Sequence, residues 1–223
     1  MIRLNKMTKH YRSITGRKKV IYKEQTIDIP MDRDVAVLGR NGAGKSTLIR
    51  LIGGIEKPSS GTIDTELSIS WPLGLGTGIQ GKLTGRQNTE FVCRVYGIEN
   101  VEEAHAYVQD FSEIGQNYDE IVANYSSGMK SKLAFGISIM IRFDVLLLDE
   151  VLSVGDARFK KKCETVLNEL RDDGSRILLV SHSEQSVRKM CQAGLVVNDG
   201  QLEYIDDIET AIKVFNGNLH GKN

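Results

Sequence analysis

The segment that most constrains this chain is Gly39-Arg40-Asn41-Gly42-Ala43-Gly44-Lys45-Ser46. It fits GxxxxGK[ST], a glycine-rich loop that cradles phosphates. The apolar run Val35-Ala36-Val37-Leu38 before it reads as a buried strand, and Thr47 to Ile52 after it reads as the start of a helix stopped by Gly53-Gly54. Glycines let the backbone curl so that successive N–H groups point inward at an anion. The helix N-terminus adds its partial positive charge. On this reading Gly39, Arg40, Asn41, Gly42, Ala43, Gly44, Lys45, Ser46 and Thr47 hold a nucleotide. Lys45 reaches its β- and γ-phosphates, and Ser46 ligates Mg²⁺.

Such a loop needs a metal-binding carboxylate on a neighbouring strand. Val145-Leu146-Leu147-Leu148 is a second buried strand, closed by Asp149-Glu150. Ligands of parallel sheets sit at the carboxyl ends of the strands. Asp149 is there the acid that holds Mg²⁺, and Glu150 is placed to polarise an attacking water. Together the two motifs specify a P-loop NTPase and leave kinases, GTPases and helicases open.

Elsewhere the pattern is α/β. Ile177 to Val180 is a third buried strand, and Leu195-Val196-Val197 meets the hairpin signal Asn198-Asp199-Gly200. Ile63 to Trp71 alternates loosely as a further strand. Helical periodicity runs over Glu90 to Phe111, Met129 to Ile141, Ala157 to Leu170, Glu184 to Cys191 and residues 207–215. Residues 72–85 hold five glycines and form no regular element. Apolar runs without alternation, separated by helices, indicate a parallel sheet covered on both faces. The 29 Lys+Arg balance 29 Asp+Glu in 223 residues, and a net charge of zero argues against nucleic acid as partner. There is no run of ~20 apolar residues, and the N-terminus has no apolar signal segment. Three cysteines without CxxC, namely Cys93, Cys163 and Cys191, suggest buried apolar side chains in a reducing compartment.

Tyr125-Ser126-Ser127-Gly128-Met129 resembles the LSGGQ signature of ABC ATPases and lies, as there, between a helical region and the acidic strand. Ser153-Val154-Gly155-Asp156 resembles the family's D-loop, Ser181-His182 its switch histidine, and Tyr11 its aromatic A-loop residue. The resemblance covers nearly the whole chain. It implies a single ABC ATPase domain over 1–223: a P-loop core with a parallel sheet, N-terminal antiparallel strands and an inserted helical subdomain near 86–142. It also implies head-to-tail pairing with a second copy. Tyr11 then stacks on adenine, Glu150 is the general base, and His182 contacts the γ-phosphate. Ser126 and Gly128 complete the partner's site. Gln80 takes the Q-loop position near Mg²⁺, although counting back from Asn88 puts the usual position near Leu75. Ser127, Met129 and Gln87 depart from the family's usual residues.

The run from Ser68 to Asn88, the YSSGM signature and Val151 to Cys163 resemble the polysaccharide-exporting branch. That branch implies a separate membrane permease docked near residues 72–111. It also implies a capsular polysaccharide, lipid-linked, handled through that permease, and a peripheral place on the cytoplasmic face of the membrane. Related O-antigen or teichoic acid export, or a soluble non-transport ATPase, are the alternatives. Chain length after His182 leaves no room for the carbohydrate-binding domain of some O-antigen forms. Lys160-Lys161-Lys162 reads as a solvated helix face, and Arg17-Lys18-Lys19 as a basic loop tip.

Overall fold

The computed structural model describes residues 1–13, 16–73, 78–149, 156–181 and 183–220, with residues 218–220 described by backbone alone. They divide into two compact units. One comprises Met1–Trp71, Phe143–Glu150 and Ser175–Asn223, and the other Pro72–Arg142 and Val151–Gly174.

In the first unit, strand β1 (Ile2–Arg12) pairs antiparallel with β2 (Lys18–Ile29), in a register running from Ile2↔Ile29 to Tyr11↔Lys19 and Arg12↔Lys18. Ile2, Leu4 and Met7 are buried, but the register shifts between Leu4 and Met7. Lys6 and Glu24 turn with positive φ. These bulges break the period of two. The N-terminal antiparallel strands implied by the family resemblance are thus present. The outer strand on the other side is β4 (Ser60–Asp64), following β3 (Val35–Gly39) in the chain.

That position corrects the strand expected over Ile63 to Trp71. Thr65 ends it early, because its hydroxyl accepts the Leu67 N–H and donates to the Met1 carbonyl. Ile69 makes only an isolated bridge to Val145.

The second sheet has the order β5-β6-β3-β7-β8, with β5 at Val145–Asp149, β6 at Arg176–Val180, β7 at Ala193–Asn198 and β8 at Gln201–Ile205. The first four strands run parallel, and β8 returns antiparallel through Asp199 and Gly200, both with positive φ. Val35, Val37, Leu147 and Val180 join helix α1 (Lys45–Ile52) and the antiparallel sheet in one apolar core. Residues one step along face the other way. There α7 (Ile208–His220) packs on β7 so closely that a Cβ on Gly194 would lie 2.4 Å from that of Ala211. Helix α6 is Glu184–Met190.

The second unit is helical. The periodicity over Glu90 to Phe111 resolves into α2 (Gly85–Tyr96) and α3 (Val101–Ser112), separated where Gly97 turns left-handed. Helix α4 is Ser127–Ile139 and α5 is Ala157–Asp172. Phe111 stacks on Phe135 at 5.8 Å and meets Phe159 edge-on at 5.5 Å, joining α3, α4 and α5. Gln87 forms a capping box with Thr84, which gives that residue a local role. Lys162 corrects the solvated-face reading of the lysine run, since its ammonium donates to the Asp110 carbonyl and to Glu113 at 3.1 Å. All three cysteines are buried. No described helix is long and apolar enough to cross a membrane.

Candidate nucleotide-binding site

Strand β3 delivers the chain to the glycine loop, and each glycine there answers a steric demand. A Cβ on Gly39 would lie 2.8 Å from the Val197 carbonyl of β7, so the loop can leave the sheet here only on glycine. Gly42 and Gly44 have φ of +80° and +110°, values that L side chains rarely adopt. A Cβ on Gly44 would also strike Ile21 at 2.7 Å and the hydroxyl of Tyr22 at 2.8 Å. Tyr22 is fully buried under the loop, and burial pushes its phenol pKa up.

Gly44 is the N-cap of α1 and supplies no side-chain hydrogen bond. Helices α2 to α6 are each capped by a side chain, from Thr84, Asn100, Ser126, Asp156 and Ser183, and Asp207 accepts the Thr210 N–H at the start of α7. Among the described α-helices, α1 is the one whose first-turn N–H groups receive no side-chain cap. Those groups and the helix dipole make an anion site. The Lys45 ammonium lies inside the curl and donates to the carbonyls of Gly39 at 2.7 Å and Arg40 at 3.0 Å. Ser46 is exposed in the first turn, whereas Thr47 is buried.

Asp149 ends β5, half-buried, in register with Val180 of β6, which also pairs with Val37. The carboxylate therefore stands at the same sheet edge as the loop. One strand lies between, so the separation is about 10 Å by strand spacing. Ser46 and Asp149 are hard oxygen donors of the kind that suits Mg²⁺, which keeps several waters and takes few protein ligands. Glu150 and His182 lie outside the described residues.

On the outer side of the loop is a cleft of about 400 Å³, lined by Lys19, Val20 and Ile21, by residues 40–43 and by the turn 197–200. Tyr11 pairs across the β1–β2 ladder with Lys19, a residue of that wall. Its hydroxyl donates to Glu56 at 2.6 Å. Glu56 did not emerge from the sequence reading. No motif marks it, and only the closing turn after α1 brings it there.

The remaining candidates belong to the helical unit. Ser126 caps α4, its Oγ accepting the Met129 N–H at 3.2 Å. Tyr125 before it is buried, and its hydroxyl donates to the Asn117 carbonyl. A Cβ on Gly128 would meet nothing closer than Ser126 Oγ at 3.9 Å, so nothing among the described residues demands glycine there. Gln80 is exposed, with its backbone held by Asn88 through bonds of 2.7 and 3.1 Å. The alternative position, Leu75, lies outside the described residues.

Comparison with known proteins adds to this geometry. The profile of the ABC transporter family matches residues 22–153. The chain is 44% identical to the polysialic acid transport ATP-binding protein KpsT of Escherichia coli, covering 98% of this chain and 100% of that one. It is 43% identical to the ATP-binding protein BexA of Haemophilus influenzae, covering 97% and 98%. It is 42% identical to the capsule polysaccharide export ATP-binding protein CtrD of Neisseria meningitidis serogroup B, covering 97% and 99%. Among solved structures, a dimeric ATP-binding cassette, MJ0796, bound to ADP and Pi shares the fold with a TM-score of 0.76 at 19% identity, over 93% of this chain and 99% of that one. An open helix N-terminus on a glycine loop, an acid at the same sheet edge, a signature segment capping its own helix and this near end-to-end identity converge: the chain belongs to the ABC transporter family.

Proposed function

We propose that this chain is the ATP-hydrolysing subunit of a transporter that exports capsular polysaccharide, lipid-linked, across the cytoplasmic membrane. The observation that carries the ATP half is the N-terminus of α1, which begins on glycine while the other described α-helices are capped by side chains. The export half rests on end-to-end identity with relatives named for capsule and polysialic acid transport.

In this reading the backbone N–H groups of residues 39–47 hold the phosphates, and Lys45 turns from its own loop carbonyls to the β- and γ-oxygens. Ser46 and Asp149 would hold Mg²⁺, and Gln80 is the candidate Q-loop residue that bears on it. When bound, the metal neutralises charge developing on the transferred phosphoryl group. Glu150 orients the attacking water and takes its proton, and His182 contacts the γ-phosphate. Tyr11 stacks on the base. Ser126 and Gly128 serve the site of a second copy, paired head to tail. Among the described residues nothing but Ser126 Oγ comes within 4 Å of a Cβ on Gly128, which supports that role, because a phosphate of the partner's nucleotide can approach the backbone there. A separate membrane-spanning permease receives the motion, and this chain sits on its cytoplasmic face.

Positioning and charge stabilisation carry phosphoryl transfer, so single side chains separate binding from turnover. Glu150→Gln is expected to abolish ATP hydrolysis and leave ATP binding intact. Lys45→Ala is expected to weaken binding itself. Normal hydrolysis by Glu150→Gln sinks the base assignment, and unchanged affinity in Lys45→Ala sinks the cradle.

A further inference from the structure

Tyr11 is tied to the phosphate-loop helix through a carboxylate that the roles above leave unused. Glu56 Oε2 accepts the Tyr11 hydroxyl at 2.6 Å and faces Lys9 Nζ at 2.8 Å, while Oε1 accepts Arg50 Nε at 2.7 Å. Glu56 is seated by its own backbone. The N–H groups of Ile55 and Glu56 both donate to the Arg50 carbonyl, at 2.9 and 3.1 Å, closing the turn that follows α1. Lys9 is pinned as well, donating to the Lys57 carbonyl at 3.0 Å with its ammonium 5.0 Å from the Tyr11 ring centroid. Arg50 stands in the last turn of α1, and its guanidinium reaches Thr47 Oγ1 at 3.5 Å. Burial works against the Glu56 charge, but hydrogen bonds from Lys9, Tyr11 and Arg50 outweigh it and hold the carboxyl at about 2. The carboxylate is therefore charged throughout the neutral range.

This arrangement does something a free aromatic could not. Tyr11 is 37% exposed, and a ring so placed would otherwise sample several rotamers. Anchoring the phenol removes that freedom before a ligand arrives, and a contact already ordered loses less on binding. We propose that Glu56 is a positioning residue for the nucleotide base: it fixes the Tyr11 ring through the phenol and couples that ring to α1, whose opposite end takes the phosphates. The proposal rests on the reading that Tyr11 stacks on the base.

The test compares two ligands by calorimetry in Mg²⁺: ATP, and inorganic tripolyphosphate, which has no base. Y11A is expected to weaken ATP roughly tenfold, the scale of one base–aromatic stack, and to leave tripolyphosphate unchanged. E56A is expected to weaken ATP about threefold to fivefold with tripolyphosphate again unchanged. E56Q, which keeps the shape of the side chain, moves ATP affinity the same way by less. In a Y11F background, where the ring remains but the anchor is gone, E56Q has no further effect. Equal weakening of both ligands by E56Q shows a structural brace only and overturns the proposal. So does selective loss of ATP in Y11A with none in either Glu56 variant. If Y11A itself leaves the ATP-to-tripolyphosphate ratio unchanged, the base-stacking reading fails first and takes the proposal with it.

Discussion

Helix α1 begins on Gly44, which has no side chain to give, and α4 begins on Ser126, whose Oγ already accepts the Met129 N–H at 3.2 Å. Both N-termini belong to segments assigned to phosphate. The first is sterically committed to its shape: a Cβ on Gly44 has Ile21 and the Tyr22 hydroxyl within 2.8 Å, and φ is +110°. The second is not, because among the described residues a Cβ on Gly128 would meet only Ser126 Oγ, at 3.9 Å. The difference teaches that the shape of the α1 terminus is fixed by contacts within this chain, which leave its first-turn N–H groups without a side-chain cap. The α4 terminus is satisfied by this chain and keeps a hydroxyl proton and an open backbone for something else. A serine that accepts from its own helix can still donate to a phosphate oxygen.

The sharpest way to break the comparison is Gly44→Ala. The substitution combines left-handed strain with a clash against β2 and is expected to destabilise the fold by about 2–4 kcal/mol. It should also cost the isolated chain roughly 100-fold or more in ATP affinity, since the first-turn N–H groups can no longer converge. Denaturant unfolding and calorimetry read the two effects. A variant that folds and binds as the wild type does removes the claim that glycine is obligatory at the α1 terminus.

At the α4 terminus, folding and chemistry should come apart. Ser126→Asp keeps an excellent N-cap, so thermal stability is expected to hold or rise slightly. The added carboxylate repels an approaching phosphate, so hydrolysis should fall by about 100-fold while ATP binding by the single chain persists. Gly128→Ala points the same way. Alanine favours a helix over glycine by about 0.5–1 kcal/mol, so stability should not drop, yet turnover should. Full activity in both variants would falsify the assignment of this terminus to the site of a second copy.

How far each terminus could be read in advance follows from locality. The α1 loop lies in eight consecutive residues after a strand buried on both sides, and β3, β5 and β6 all show as unbroken apolar runs. Strands β1 and β2 do not, because the bulges at Lys6 and Glu24 shift the alternation. The Lys9–Tyr11–Arg50–Glu56 cluster was invisible for a different reason. Its members are spread over 48 positions and meet only because β1 runs past the turn that closes α1. Likewise, helical periodicity over Glu90 to Phe111 continues across Gly97, whose left-handed φ separates α2 from α3. Periodicity reports which residues face inward, and it does not report where one axis ends.

The smallest expected effect distinguishes the two units that carry these termini by pH. The α1 side is braced by Glu56, which stays ionised down to about 2. Within the helical unit, Tyr118 donates to Thr89 Oγ1 at 2.7 Å, so the 2.9 Å contact between its oxygen and His105 Nδ1 has the imidazole N–H as donor. His105 is buried, and burial, then Arg86, lower its pKa, with Glu102, Glu90 and Asp119 opposing. The folded state therefore favours neutral imidazole, while the unfolded chain takes up a proton below about 6.5. Stability from this group is fully present above that value and is lost as pH falls through it. Melting curves between pH 7.5 and 5 should show a shallow decline that His105→Gln flattens, since glutamine can donate to Tyr118 without titrating. If the slope is the same in both proteins, His105 is not the group that titrates, and the helical unit holds no acid-sensitive support at this position.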